Sequence, residues 1–180
     1  MQNSLSASII QDAAHVFNQQ RRLAEGAAQQ VNDLQFFQTE GPEANSIAII
    51  MKHVGGNLRS RWTDFLTSDG EKPDRDRDSE FVAENESRQS VTQVWNRGWQ
   101  ALDDTLSSLS PDQLGLTVKI RNEPCTVSQA LMRSLAHTAH HCGQIVHIAK
   151  VLTAANWKTL SIPRHGSRNV LGNFWTAEPR

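Results

Sequence analysis

Apolar residues recur every three or four positions through four long stretches of this 180-residue chain, a period that fits amphipathic helices and little else. The first stretch runs from about Ser4 to Val31, with Ile9, Ala13, Val16, Leu23, Ala27 and Val31 on one stripe and Ser4 or Ser6 as a cap. Gly41-Pro42 then interrupts the chain. The second begins at Asn45 or Ser46 and continues to about Leu66, its apolar face formed by Ile47, Ile50, Met51, Val54, Leu58, Trp62 and Phe65. Gly55-Gly56 in its middle lowers helix propensity by about 1 kcal/mol per glycine relative to alanine, which close packing against a neighbouring helix would explain. The third, from about Glu80 to Leu109, carries Val91, Val94, Trp95, Gly98, Leu102 and Leu106 at helical spacing. The fourth starts near Thr126 or Ser128 and reaches about Ala155, with Leu131, Leu135, Ile145, Ala149 and Leu152 as its stripe.

The connections read differently. Thr67 to Ser79 is polar, holds Asp69-Gly70 and Lys72-Pro73 as turn signals, and alternates in charge as a solvated loop does. Leu116 to Ile120 alternates and is rich in β-branched residues. Arg121-Asn122-Glu123-Pro124 makes a turn, after which Cys125-Thr126-Val127 returns as a second short strand. The tail from Asn156, with Pro163, Gly166 and Gly172, predicts irregular structure. The expected fold is therefore all-α: a four-helix bundle in a single domain over residues 1–180, with a small β-hairpin before the last core helix and an irregular C-terminal tail.

Bulk properties narrow the function classes. A net charge of −1 leaves no electrostatic footprint for nucleic acid or an anionic membrane. The first residues lack the basic start and apolar run of a signal peptide, and no stretch approaches the roughly 18 apolar residues of a membrane span. Cys125 and Cys142 form no CxxC pair and are too few for a disulfide scaffold. A cytoplasmic location is the default expectation.

The chemistry concentrates in His137-Thr138-Ala139-His140-His141-Cys142-Gly143-Gln144. At about 100° per residue, His141 falls some 40° from His137, and Gln144 and Ile148 lie in the same narrow sector. Two imidazoles one turn apart on one face can share a metal ion. His140 and His147 point about 70° to the other side. His53, on or beside the apolar face of the second helix, is the candidate for a third ligand. A three-histidine site with open positions is a catalytic arrangement, able to lower the pKa of a bound water or to hold a thiolate. On spacing alone, these histidines read more readily as surface or packed residues than as ligands. His15, His147 and His165 are read as structural or surface residues, and Cys142 as a packed thiol.

The motifs, taken together, resemble the DinB/YfiT-like superfamily, and more narrowly its DUF1572 branch. The residues that carry the resemblance are Asn45-Ser46-Ile47, Lys52 to Leu58, Arg61-Trp62, Phe65 to Pro73, Arg77 to Phe81 and His137 to Gln144, in matching order along nearly the whole chain. The resemblance implies a bundle of up-down-down-up type and a divalent metal, zinc or nickel, held by His53, His137 and His141. It also implies a homodimer. His140 matches a motif position that is not usually a ligand. Characterised relatives include thiol S-transferases that use bacillithiol or mycothiol and a mycothiol-dependent isomerase, and others were proposed as hydrolases. One departure stands out: many relatives have arginine or lysine where this chain has Cys142.

The leading expectation is a metal-dependent enzyme that transfers a low-molecular-weight thiol to an electrophile or hydrolyses a small substrate. Gln144 and Asn57, each on the ligand face of its helix, are candidates for orienting a ligand or water. Asp64 and Glu80 are the acidic residues nearest the motifs, but no spacing sets either beside an ion. The alternative is a non-catalytic helical bundle that binds a metal or small molecule, as a stress-related or partner-binding dimer.

Overall fold

The computed structural model describes residues 2–166, and it is mainly helical. In chain order come α1 (Gln2–Ala28), α2 (Asp33–Phe37), α3 (Ile47–Trp62), α4 (Arg88–Ser108) and α5 (Val127–Thr153), of which only α2 is short. A two-stranded antiparallel sheet, β1 (Thr117–Ile120) and β2 (Glu123–Thr126), precedes α5. Among the described residues no helix is long and apolar enough to cross a membrane.

Side chains that satisfy free backbone N–H groups set the helix starts. Ser46 Oγ accepts from the Ile49 N–H at 3.2 Å, and Thr126 forms a reciprocal capping box with Gln129. Both were expected as caps. The third helix begins eight residues later than the periodicity suggested, at Arg88 behind a Ser87–Ser90 box. Glu80 and Phe81 instead form a short 3-10 turn (Asp78–Phe81) against α3. The helix over the second segment stops at Trp62, short of Leu66, because Asp64 takes a left-handed φ of 48° that no helix continues through.

α3 packs along α4, α1 packs along α5, and α3 also meets α5. The core between them holds Phe17, Leu58, Trp62, Trp95, Trp99 and Leu131, all fully buried. The buried face of α1 is Ile10, Ala13, Phe17, Ala24, Ala27 and Ala28, while Ile9, Val16 and Leu23 are only half-buried. Phe17 sets this rotation: it meets the Trp99 ring edge-on at 6.3 Å. The α3–α4 crossing depends on two glycines. A Cβ on Gly55 would lie 2.7 Å from the Val94 carbonyl oxygen, and one on Gly98 would collide with the Gly55 backbone.

The hairpin turns through Arg121-Asn122, both at positive φ (57° and 63°), as a two-residue loop requires. Asp69 accepts the backbone N–H groups of Arg121 and Asn122 at 2.8 and 2.7 Å, tying the loop after α3 to the hairpin tip. The Glu71 backbone N–H, at 2.7 Å, together with those of Asn122 and Arg121, holds the Asp69 carboxyl below its ordinary range, although burial opposes them. Beyond α5 a 3-10 turn (Ala154–Asn156) leads into irregular chain up to residue 166. The rest of the expected tail, including Gly172, lies outside the described residues.

Candidate metal centre

His53 on α3 faces His137 and His141 on α5, and one nitrogen from each ring lies within 4.8 Å of the others. The rings stand edge to face, with centroids 5.2 Å (His53–His137), 5.0 Å (His53–His141) and 4.5 Å (His137–His141) apart. His53 Nε2 and His137 Nε2 are 3.2 Å apart. Two nitrogens at that separation are held by a proton between them or by a shared ion. Nitrogens bound at 2.0–2.1 Å to a tetrahedral centre stand about 3.3–3.4 Å apart, so the spacing of this pair fits two ligands of one divalent metal, with the His141 nitrogen within 4.8 Å of both.

Hydrogen bonds behind the rings fix two tautomers. Glu80 Oε2 lies 2.9 Å from His53 Nδ1 and, being a carboxylate, can only accept; the proton is on Nδ1, so in the neutral ring the lone pair is on Nε2, the nitrogen that faces His137. Gln144 Oε1 accepts from His141 Nδ1 at 2.7 Å with the same effect. This is the outer support that metal-binding histidines ordinarily have. His137 differs, since its buried Nδ1 has no partner. Burial first, then the neighbouring histidines, pull the His137 pKa down to about 3. Burial likewise lowers His141, against the Gln144 hydrogen bond. Both rings are therefore neutral near pH 7, the state in which imidazole ligates a metal.

Glu80 is the site residue that spacing did not place. It is 5% exposed, and both of its oxygens bond Arg75, from Nε and Nη2 at 2.8 Å each. Arg75 reaches on to Glu71 at 3.2 Å. Burial pushes the Glu80 carboxyl up, but the hydrogen bonds from His53 and Arg75, with the Arg75 charge, outweigh it and hold the carboxyl low. A carboxylate so stabilised is a poor general base and a good orienting group. Gly56 makes room for it, because a Cβ there would strike the Glu80 carboxylate. Phe81 closes the same side, its ring 4.8 Å from His53.

Asn57, one turn after His53, lines a cavity of about 190 Å³ together with His53, His137 and Ser134. A hollow of about 510 Å³ on the other side takes in Gln144, His140 and His147. Asp64 is exposed and contributes to a separate hollow of about 440 Å³ beside Lys72 and Arg59. His140 and His147 are exposed on α5, His15 bonds Gln19 within α1, and His165 is exposed beyond α5. None of these four joins the cluster.

Cys142 is fully buried, as its position on the apolar stripe predicts, and burial pushes its thiol up to about 12. A thiol reagent is therefore expected to modify one of the two cysteines in the native protein, the half-buried Cys125, and both after unfolding. Two fast-reacting thiols in the native state would contradict this packing.

No curated protein matches the chain. The model of the family described as proteins of unknown function, DUF1572, matches residues 4–166, and the chain belongs to that family.

Proposed function

We propose that this protein is a metal-dependent enzyme in which His53, His137 and His141 hold one divalent ion, zinc or nickel. The observation that carries the reading is the convergence of three imidazoles from two helices, two of them with the outer nitrogen hydrogen-bonded so that the inner one offers a lone pair. When bound, such an ion supplies Lewis acidity that lowers the pKa of a water or thiol presented to it. The chain's own residues do the rest. Glu80 and Gln144 keep two rings in the ligating tautomer, Asn57 and Ser134 offer polar groups to a substrate in the adjoining cavity, and Phe81 shields one face of His53.

With Glu80 held by Arg75, no free carboxylate is found at the histidines, among the described residues, to serve as a base. Transfer of a low-molecular-weight thiol to an electrophile needs less help from a base than hydrolysis does, which favours the transferase reading. The same reading takes the four long helices as a DinB/YfiT-like, up-down-down-up four-helix bundle. It places that bundle in one domain over residues 1–180 and in a cytoplasmic homodimer.

The test is turnover by zinc- or nickel-loaded protein, following thiol consumption with an electrophile present and ester hydrolysis with thiol omitted. Thiol consumption that tracks metal loading and vanishes in His137→Ala is the expected result. Full metal occupancy with no turnover in either assay would favour the non-catalytic metal-binding protein instead.

A further inference from the structure

The cavity of about 190 Å³ against His53 and His137 is lined by five arginines, Arg61, Arg75, Arg77, Arg121 and Arg133, and by no acidic residue among those described. They arrive from separate parts of the chain: α3, the loop before the 3-10 turn, the hairpin tip and α5. The chain as a whole carries a net charge of −1, so the concentration is local.

Only part of this charge is neutralised. Arg75 is paired with Glu80 and Glu71, and Arg121 shares Glu71 at 3.3 Å. Arg77 stacks over the Phe81 ring at 5.1 Å. Within the described residues neither Arg61 nor Arg133 forms an ion pair. Five guanidiniums thus share two ion-paired carboxylates, Glu71 and Glu80, and with Asp69 at the hairpin tip counted as well the positive charges still outnumber the negative. Arg61 is the decisive member. It is 7% exposed, and its Nη1 is buried without a hydrogen-bond partner. Nη1 itself lies toward Gly70, but the side chain lines the cavity, and a largely buried guanidinium without a carboxylate partner carries a cost that an oxyanion in the cavity would offset. Burial, opposed by Glu71 and reinforced by the charges of Arg133, Arg75 and Arg121, lowers the Arg61 pKa.

We propose that this cavity is an anion-binding subsite, taking the phosphate or carboxylate group of a small molecule and setting the rest of that molecule beside the histidine nitrogens. The planar, multi-donor guanidinium suits either oxyanion, and the volume suits one small charged group rather than a polymer. The inference rests on the reading of the histidines as the reacting centre, but its binding half can be tested separately.

The experiment is titration calorimetry of inorganic phosphate and, separately, malonate into wild type, Arg133→Gln, Arg61→Gln and His137→Ala. Ionic strength is held constant with chloride, and zinc content is measured on every sample. One probe is expected to bind wild type at about one per chain with a dissociation constant of about 1 mM or tighter, and about tenfold more weakly in each arginine variant. Preference for phosphate points to a phosphorylated substrate, and preference for malonate to a carboxylated one. Arg133 is exposed on α5, so its variant keeps the test valid should Arg61→Gln fail to fold. Anion binding retained in zinc-free His137→Ala supports a subsite that stands without the metal. Anion binding by a wild type that takes up no zinc would support the subsite while overturning the metal reading. No binding of either probe, or equal binding by wild type and Arg133→Gln, would overturn the subsite.

Discussion

Replacing Glu80 with alanine is expected to lower both stability and metal affinity, by about 3 kcal/mol and about 10- to 100-fold. The stability loss arises because the Arg75 side chain, itself 5% exposed, keeps only its longer contacts to Glu71 once both 2.8 Å bonds to Glu80 are gone. The affinity loss arises because His53 Nδ1 loses its acceptor, so neither the tautomer nor the ring angle is held. Glu80→Gln separates the two effects: it can still accept from His53, but it leaves the Arg75 charge without its closest partner. Urea denaturation and zinc competition against a chelator read the two quantities independently. The pH dependence has a definite sign. A carboxyl whose folded pKa is depressed contributes stability fully above its ordinary value of 4.5 and loses it as pH falls through the folded value. The gap between wild type and Glu80→Ala should therefore narrow in acid. A Glu80→Ala protein as stable as wild type, with unchanged zinc affinity, would remove Glu80 from the site.

Gly98→Ala is expected to destabilise by about 3 kcal/mol, a fall in Tm of about 6–12 °C for a chain of this length. The added Cβ meets the Gly55 backbone rather than a side chain that could swing away, so α3 and α4 must separate. Because α3 carries His53, the shift reaches the site as well. Gly143→Ala is the matched control: that glycine lies in α5, where an added Cβ would meet nothing within 4 Å, and alanine there should stabilise by about 1 kcal/mol through helix propensity. The same substitution at two helical glycines thus has opposite signs. Gly98→Ala with a Tm equal to or above that of wild type would contradict the close crossing.

The long helices were legible because their apolar periods were long, and Ser46 and Thr126 were legible as caps because side chains that accept from free N–H groups are chemically distinctive. The hairpin followed from alternation and turn residues, although its tip is tighter than expected, confined to Arg121-Asn122. His137 and His141 share a helix, and their geometry follows from spacing. Bringing His53 to them required the packing of α3 against α5, which the resemblance implied and periodicity alone did not. Glu80 was out of reach for a different reason. The chain between Thr63 and Ser87 has no period, so nothing local shows that it folds back over Gly56 to set a carboxylate on His53. The helical start expected at Glu80 failed on the same ground: Glu80 and Phe81 are engaged with His53 instead of opening α4. On α1, Ile9, Val16 and Leu23 gave a regular stripe, but the large ring of Phe17 turned the buried face toward itself.

The central claim is that the three histidines hold a metal, and elemental analysis of untagged protein tests it most directly. Wild type, His53→Ala and His137→Ala would be purified in parallel and then titrated with zinc, nickel and manganese. The expected result is about one divalent ion per wild-type chain, present on purification or taken up on titration, and its loss in both variants. A wild type that is metal-free and takes up none of the three ions, or a His137→Ala variant that binds as wild type does, would contradict it.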